Sequence, residues 1–525
     1  MHIFRLLVAA SAVALIPCAA LSQTTFSKKF YSLGQYPQFQ LQTDLNGDGI
    51  PDFFTDSGGS ETAEMLSTGP GAYTLRKLSH PESYYLPLAA GDFNGDGKND
   101  VFFYDPDGGN KLFWIGYGDG KGGMSSFKQA PNLPGIYSGS IATIVAQTGD
   151  FNGDGRQDVA VAYMADDSNY RPISIDVHVF LNNGNGFTDG GVVYSYAMPS
   201  GSQGGVEYDT TPVFDLLVGD YDADGHADLA LRYLITIPNN PSNADANLLI
   251  LYGSGSGKFT PVKVFSDRDS YLSFNTGDVN NDGMTDLAGV DSDDTIHIFY
   301  GQKNRTMKET VLPASLSQNT ASNFIAPVIA DFDGNGLKDI LFVAFDPASN
   351  SEAMGVRGLF QTKPGVWVLG PYTNVDDFRG GLGEVPFTSL FVGDYNKDKK
   401  PDVSLFVTDT AVTHPQTMAL LMNSGSGVYG ACAPPAIGIH VCSPGATTTS
   451  TAVTFNLSAT SLYNLRDMEI WVDGVKKSET YHVFATQAYD RVTLSIPAGQ
   501  HRIGIFAVAA DDTTKLHTSF TTTVH

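Results

Sequence analysis

Residues Asp92–Asp100 read DFNGDGKND, and residues Asp150–Asp158 read DFNGDGRQD. Each nine-residue peptide combines acidic and amide side chains with glycine, a composition that favours a tight turn and that a hydrophobic core excludes. A single peptide of this kind would be an ordinary acidic turn. Two nearly identical copies in one chain indicate an internal repeat.

The peptide occurs seven times, at intervals of 48, 58, 70, 58, 53 and 63 residues. We number the copies acidic loops 1 to 7, and they read DLNGDGIPD from Asp44, DFNGDGKND from Asp92, DFNGDGRQD from Asp150, DYDADGHAD from Asp220, DVNNDGMTD from Asp278, DFDGNGLKD from Asp331 and DYNKDKKPD from Asp394. Chance does not supply seven copies in the same register. The spacing therefore predicts a repeat architecture.

Every acidic loop lies between two apolar stretches, such as FDLLVG before loop 4 and VAVAY after loop 3. Each loop is therefore predicted to be the tip of a β-hairpin. A third strand follows that ends in a glycine turn and an aromatic residue, as in LILYGSGSGKF, and a fourth can continue as FTPVKVF. Four short strands per repeat predict an all-β fold, a seven-bladed β-propeller.

The last repeat has no evident fourth strand after Tyr429, and the segment before loop 1 supplies one. Phe26 lies 18 residues before Asp44, much as Phe259 lies 19 residues before Asp278. We predict that residues 24–33 complete the last blade, which closes the array and removes its exposed edges. Residues 189–212 and 349–384 are interpreted as insertions, either binding loops or surface loops that have drifted.

The first residues have the pattern of a secretory signal peptide over 1–22. Arg5 precedes the apolar run LLVAASAVALIP, and small residues suit cleavage before Gln23. Lipidation of Cys18 is the alternative, although small residues do not directly precede it. The sequence thus predicts a secreted protein, extracellular or on the cell surface, with the propeller at 23–431.

After Pro435 the acidic loops stop and Thr/Ser/Val-rich alternation begins, as in MEIWVDGVKKSETY. Short strands with frequent turns predict a small Ig-like β-sandwich over residues 432–525. Asp473-Gly474 suits a hairpin turn, and Trp471 is interpreted as a core residue. Cys432 and Cys442 are predicted to form a disulfide, with two free thiols as the alternative.

The acidic loops have the ligand chemistry of a calcium site. Ca²⁺ takes six to eight oxygens in a flexible shell, and positions 1, 3 and 5 place three side-chain oxygens within one turn. Glycine at position 6 permits the sharp bend, the carbonyl of position 7 turns inward, and Asp at position 9 closes the shell. Position 12 carries no carboxylate in any copy, so these are not EF-hands. Mg²⁺ suits them less well because it demands rigid octahedral geometry.

Positions 1, 3, 5, 7 and 9 of the seven loops are the predicted ligands. They are Asp44, Asn46, Asp48, Ile50 and Asp52; Asp92, Asn94, Asp96, Lys98 and Asp100; Asp150, Asn152, Asp154, Arg156 and Asp158; Asp220, Asp222, Asp224, His226 and Asp228; Asp278, Asn280, Asp282, Met284 and Asp286; Asp331, Asp333, Asn335, Leu337 and Asp339; and Asp394, Asn396, Asp398, Lys400 and Asp402.

The formal net charge of −25 argues against nucleic acid and anionic membranes as partners. The seven loops hold 22 of the 56 acidic residues, and seven calcium ions would bring the formal charge to −11. The sites should differ in affinity. Loop 4 has four carboxylates and is predicted to bind tightly. Loop 7 has Lys399 in place of the position-6 glycine and is predicted to be weak, or a metal-free, salt-bridged hairpin.

The recurring D-x-[DN]-x-[DN]-G-x-x-D loops resemble the FG-GAP/VCBS repeats of integrin α-subunit propellers and of many secreted bacterial proteins. The resemblance covers roughly residues 24–431, and only loop 7 departs from the motif. It implies a seven-bladed propeller with Ca²⁺ in loops between strands and ligands bound at loops on one face. The C-terminal segment resembles bacterial Ig-like modules by pattern alone.

Three functions remain open from the sequence. A calcium-binding adhesion module would bind an extracellular protein or glycan, and we expect it to be monomeric and not inserted in a membrane. An enzyme is the second hypothesis, but no HExxH is present, and GSGSG from Gly253 does not match a nucleophile elbow. His178, His297 and His440 are interpreted as strand-face residues. A purely structural surface component is the third hypothesis.

Overall fold

A computed structural model describes the chain at residues 23–34, 41–56, 62–78, 85–106, 108–109, 111–133, 141–166, 172–197, 214–236, 244–268, 273–291, 293, 295–313, 325–345, 354–374, 387–407, 416–427, 438–443, 447–448, 451–509 and 515–525. These residues form 34 β-strands. Over the same ranges, no helix is long and apolar enough to cross a membrane. The predicted all-β class is confirmed.

Seven four-stranded antiparallel sheets account for most of the strands. In the order of their acidic loops they are sheet 1, β2 (Leu41–Thr43), β3 (Asp52–Asp56), β4 (Thr62–Gly69) and β5 (Ala72–Lys77); sheet 2, β6 (Leu86–Gly91), β7 (Asp100–Tyr104), β8 (Phe113–Gly118) and β9 (Met124–Gln129); sheet 3, β10 (Ile141–Gly149), β11 (Asp158–Asp166), β12 (Pro172–Asn182) and β13 (Phe187–Ala197); sheet 4, β14 (Phe214–Gly219), β15 (Asp228–Thr236), β16 (Ala244–Gly253) and β17 (Phe259–Arg268); sheet 5, β18 (Ser273–Gly277), β19 (Asp286–Val290), β20 (Ile296–Gln302) and β21 (Thr306–Val311); sheet 6, β22 (Val328–Ala330), β23 (Asp339–Phe345), β24 (Met354–Lys363) and β25 (Val366–Asn374); and sheet 7, β26 (Phe387–Gly393), β27 (Asp402–Val407), β28 (Gln416–Gly427) and β1 (Gln23–Gly34).

Every acidic loop joins the first strand of its sheet to the second, as predicted for a hairpin tip. Position 9 opens the second strand and pairs with the last residue of the first strand, for example Asp158 with Gly149 and Asp228 with Gly219. The strands around the loops are rich in Val, Leu, Ile and Phe because both of their faces pack against neighbouring sheets.

The hydrophobic core lies between the sheets. Sheets that follow one another in the chain are packed together through one cluster of buried side chains each. There are six such clusters, the first between sheets 1 and 2 and the last between sheets 6 and 7. A further cluster joins sheet 7 to sheet 1, where Phe53 and Met65 pack against Tyr395 and Leu420. Each sheet therefore packs on the next, and the last packs on the first.

The N-terminal strand completes the last sheet, as predicted. Strand β1 pairs antiparallel with β28 from Gln23↔Gly427 to Gly34↔Gln416. The two segments interpreted as insertions contain regular strands where the structure describes them. Strand β13 is the outer strand of sheet 3 and begins two residues before the first segment, and β24 and β25 lie within the second. Glycines in these segments hide the alternation of apolar and polar residues that marks a strand. Bulges interrupt the pairing of β12 with β13 and of β24 with β25.

The C-terminal part forms a separate six-stranded sheet with its own core. Its strands are β29 (Gly438–Ser443), β30 (Thr447–Thr448), β31 (Ala452–Val472), β32 (Val475–Ser495), β33 (Gly499–Ala509) and β34 (Lys515–Val524). The Asp473-Gly474 turn joins β31 to β32 with φ of +52° and +82°, which confirms the predicted hairpin.

The interpretation of Trp471 as a core residue is wrong. Ile470 and Val472 enter the core cluster, and Trp471, between them, points to the other face. There it is half-buried, packs edge-on against Phe506, and donates its indole N–H to Glu469 at 2.7 Å. The predicted signal peptide over 1–22, Cys18 and Cys432 lie outside the described residues, as does the side chain of Cys442.

Candidate metal centres

All seven acidic loops have the same backbone shape. Position 6 has a left-handed backbone in every one. In the six loops with glycine there, φ ranges from +77° at Gly49 to +88° at Gly336. No atom lies close to where a Cβ would be at Gly97 or Gly155. Loop 7 reaches the same shape without glycine, because Lys399 has a φ of +67°. The sequence motif therefore encodes one turn, and loop 7 adopts it at a conformational cost.

The carboxylate at position 1 organises the loop. In loop 3, Oδ1 of Asp150 accepts the amides of Gly153 at 2.7 Å and Asp154 at 3.1 Å, and Oδ2 accepts the amide of Gly155 at 2.8 Å. Position 3 binds the amide of position 5, and position 5 binds the amide of position 7, each through Oδ1. The second oxygen at position 5, Oδ2 of Asp154, takes no backbone amide and instead accepts from Arg156 Nη1 at 2.6 Å and from Asn152 Nδ2 at 3.2 Å.

Position 9 is a fully buried carboxylate that fastens the loop to its sheet. Its Oδ2 accepts the amide of position 2 and its Oδ1 the amide of a residue at the end of the third strand, at 2.6 to 3.0 Å in all seven copies. Burial raises the pKa of this carboxyl to about 6 in loops 1 to 3 and about 7 in loops 4 to 7. Predicted only as a ligand, position 9 is also a structural staple.

Position 2 is a site residue that the sequence analysis missed. Its side chain is apolar or aromatic in every loop and at most 2% exposed. These residues are Leu45, Phe93, Phe151, Tyr221, Val279, Phe332 and Tyr395. The pattern was visible in the seven aligned peptides, although only the polar positions suggested chemistry.

The carbonyl of position 2 links six of the seven loops to the next sheet. Gly122 N and Gly257 N donate to the carbonyls of loops 1 and 3, and Gly71 N donates to Tyr395 O of loop 7 at 2.7 Å. Side-chain amides do the same in loops 2, 5 and 6, from Asn182, Gln361 and Asn423. These six acidic loops are therefore each hydrogen-bonded to the neighbouring sheet.

Positive side chains lie close to several loops. Lys98, Arg156 and Lys400 form ion pairs with position 5 of their own loops at 3.1, 2.6 and 3.6 Å. The pair in loop 7 agrees with the predicted salt-bridged hairpin. In loop 4 the partner is Arg305, which comes from sheet 5.

The donor set fits a hard divalent cation. Oxygens of Asp220, Asp222 and Asp224 lie within 4.8 Å of one another, as do those of Asp331, Asp333 and Asp339. The side chains at positions 1, 3, 5 and 9 offer only carboxylate and amide oxygens as ligands, which Ca²⁺ prefers. Asp228 is not in the loop 4 group, and its oxygens accept Tyr221 N and Gly253 N.

The histidines predicted to lie on strand faces do so where the structure describes their side chains. His178 is fully buried on β12. His297 on β20 lies between two carboxylates, with Nε2 2.9 Å from Asp291 and Nδ1 2.8 Å from Glu309. The two partners hold the pKa of His297 above its usual value despite burial. His440 lies on β29, and its side chain is outside the described part of the chain.

The four-stranded sheets define a β-propeller scaffold. Each has an acidic loop between its first and second strands, and each packs on the next until the last packs on the first. The FG-GAP-like repeat matches residues 44–103, 92–161, 150–231, 220–289 and 278–342, which together cover more than half of the chain. The protein belongs to the FG-GAP-like repeat family. The matches span loops 1 to 6 and end within β23, the second strand of sheet 6.

Similar solved structures are distant in sequence. The BBS1N–ARL6DN complex matches at 10% identity and a TM-score of 0.41, over 76% of this chain and 97% of that one. The β-propeller domain of the Trilobed protease from Pyrococcus furiosus matches at 10% identity and 0.35, over 74% and 94%. The exo-beta-1,3-galactanase from Phanerochaete chrysosporium matches at 10% identity and 0.32, over 85% and 97%. No curated protein sequence matches the chain.

Proposed function

We propose that this chain is a secreted, calcium-stabilised, seven-bladed β-propeller that acts as an extracellular binding or adhesion module. The propeller would span residues 23–431 after removal of a signal peptide, and an Ig-like domain with a Cys432–Cys442 disulfide would follow at 432–525. Seven sheets with a hydrophobic cluster between every neighbouring pair support the blade number, and the separate core of the C-terminal sheet supports a second domain.

One observation carries the calcium assignment: the oxygen-rich loop recurs seven times with the same hydrogen bonds. Carboxylates packed this closely repel one another unless a cation neutralises them. Calcium bound between positions 1, 3, 5 and 9 would offset that repulsion and hold each hairpin to its sheet. Asp339 shows how position 9 can take part, since it lies with Asp331 and Asp333 in one oxygen group.

The proposed ligand is an extracellular protein or a glycan. The acidic loops occupy equivalent ends of the seven first strands and are linked in series, so they support one continuous face on a rigid scaffold. Loops held in this way are a common location for binding. A secreted polysaccharide-active or other hydrolytic enzyme and a purely structural surface component remain the alternative functions.

Thermal melting with calcium and with EDTA tests the metal assignment. When the free calcium concentration is about 100 times the Kd of a site, binding at that site stabilises the folded state by about 2.7 kcal/mol. Several sites should therefore raise the Tm clearly. Magnesium at equal concentration serves as the control and should have the smaller effect. A melting curve that is the same in calcium and EDTA would refute the assignment.

A glycan and extracellular-protein array, probed with and without calcium, tests the binding function. Calcium-dependent capture of one ligand class is the expected result. The control is the Asp150→Asn/Asp278→Asn variant, which removes the organising carboxylate from two loops and should weaken capture. Hydrolysis of a polysaccharide panel by the purified protein, without stable binding, would favour the enzyme alternative.

A further inference from the structure

A glycine lies at one fixed place at or just after the end of the third strand in six of the seven repeats. It lies four residues after the residue whose amide binds Oδ1 of the position-9 aspartate. The six glycines are Gly71, Gly122, Gly186, Gly257, Gly365 and Gly427. Repeat 5 has Arg305 instead, and its φ of +62° is close to the +74° of Gly257. A side chain with a Cβ disfavours this left-handed region, so Arg305 adopts it at a conformational cost that a favourable contact can offset.

The Arg305 side chain supplies that contact by crossing from sheet 5 to acidic loop 4. Its Nε donates to Oδ2 of Asp222 at 2.7 Å, and its Nη2 donates to Oδ2 of Asp224 at 3.0 Å. The guanidinium carbon also lies 5.4 Å from the centre of the Tyr252 ring. The Asp222 side chain is only 3% exposed, whereas Arg305 is 41% exposed, so the carboxylate is the partner that is shielded from water.

The backbone amide of Arg305 has a different partner from the amides of the equivalent glycines. Gly71, Gly122 and Gly257 donate their amides to the position-2 carbonyl of the preceding loop, whereas Arg305 donates its amide to Gln302 within its own turn. The side chain of Arg305 therefore makes the connection to the preceding loop that a glycine amide makes elsewhere.

The arginine reaches the one loop that has an extra carboxylate. Loop 4 alone combines Asp at positions 1, 3 and 5, because five loops have Asn at position 3 and loop 6 has Asn at position 5. The oxygens that Arg305 binds are also the ones that the backbone leaves for a metal. Oδ1 of Asp222 accepts the amide of Asp224 at 3.2 Å, and Oδ1 of Asp224 accepts the amide of His226 at 2.9 Å.

We propose that Arg305 is a built-in counterion of loop 4, which orders this loop without calcium and competes with calcium for Asp222 and Asp224. The proposal rests on the calcium-binding function proposed above and runs against the sequence-based expectation that loop 4 binds calcium tightly. Loop 4 then connects sheets 4 and 5 whether or not calcium is bound, while other loops depend on calcium for their order.

Replacing Arg305 with the glycine of the other repeats tests the proposal. Arg305→Gly should let calcium reach both free oxygens, increase the affinity of loop 4 by about tenfold or more, and add one tightly bound calcium per chain. Calcium content after dialysis against a weak chelator gives the stoichiometry. Terbium luminescence sensitised by Tyr252 reports on loop 4 itself, and Tyr252→Phe in the same background should remove the gained signal.

Two variants separate this role from general damage to the fold. Arg305→Lys keeps a positive charge and should retain the wild-type calcium stoichiometry. Arg305→Gly should melt lower than wild type in EDTA and recover in calcium, which loss of a merely structural contact would not do. Equal calcium stoichiometry and affinity in wild type and Arg305→Gly, with calcium bound to both, would overturn this inference alone. An absence of calcium binding and of any thermal shift in both proteins would overturn the proposed function as well.

Discussion

At the scale of single residues, the position-9 aspartate has an observed structural role and a proposed metal-binding role that use the same atoms. Both oxygens of Asp158 accept backbone amides, and the motif also includes the carboxylates at positions 1 and 5. Burial raises the pKa of Asp158 to about 6, so its negative charge is held in the folded state at a cost. A nearby calcium ion would lower that cost.

Asp158→Ala should destabilise the protein even when no calcium is present. The amides of Phe151 and Asn182 would lose a buried acceptor, and each unsatisfied group costs about 1–3 kcal/mol. We therefore expect the free energy of unfolding in EDTA, measured with urea, to fall by about 2–5 kcal/mol.

The matched control for this prediction is Asp154→Asn in the same loop. Asp154 is 31% exposed, and asparagine retains an acceptor for the amide of Arg156. We expect a change within about 0.5 kcal/mol in EDTA. If both variants lose the same stability, the staple role of position 9 is wrong.

At the scale of the repeated element, the polar half of the repeat could be predicted from sequence and the connections between repeats could not. The hairpin tips and the strand supplied by residues 24–33 followed from the spacing of seven motifs. The third-strand residues escaped prediction because they differ in type. Asn182, Gln361 and Asn423 use side-chain amides, whereas Gly118, Gly253 and Gly301 stand where a Cβ would collide with a backbone carbonyl.

Loop 4 shows a second reason for incomplete prediction. Counting carboxylates predicts tight binding in loop 4, but the count does not include Arg305, which pairs with Asp224 from 81 residues away in sequence. Propensity and motif spacing describe one hairpin at a time. Neither one indicates which charged side chain of the neighbouring sheet lies next to that hairpin.

Asn182→Ala should weaken the connection between sheets 2 and 3. The Asn182 Nδ2 donates to Phe93 O at 2.9 Å and to Gln157 O at 3.1 Å, and the residue is only 2% exposed. Losing these buried bonds should reduce the free energy of unfolding by about 1–3 kcal/mol. Differential scanning calorimetry measures the effect, and the exposed neighbour Asn183 provides the control. A variant Asn183→Ala with the same loss would contradict the linking role.

At the scale of the whole molecule, each sheet depends on both of its neighbours. Seven hydrophobic clusters lie between seven sheets, including the one at Phe53 and Tyr395 that joins the first to the last. Strand β1 adds the outermost strand to sheet 7 and covers an edge that β28 would otherwise present to solvent.

Deleting residues 23–34 should therefore destabilise sheet 7 and promote self-association through the uncovered edge of β28. We expect a lower Tm and larger species in light scattering than for the intact chain from residue 23. A synthetic peptide of residues 23–34 should restore the Tm, whereas a scrambled peptide should not. A truncated protein that stays monomeric with an unchanged Tm would contradict the closing role of β1.

The pairing of β1 with β28 also sets an order of events during synthesis. Lys28 pairs with Leu421, so the first described strand has no partner until nearly four hundred further residues have been made. At about 5–20 residues per second, that delay is roughly 20–80 s. Throughout this interval the early repeats can pack on one another while both ends of the array stay open. Completion of sheet 7 is therefore a late step, and a nascent chain awaiting it presents two unpaired edges to any chaperone that binds strands.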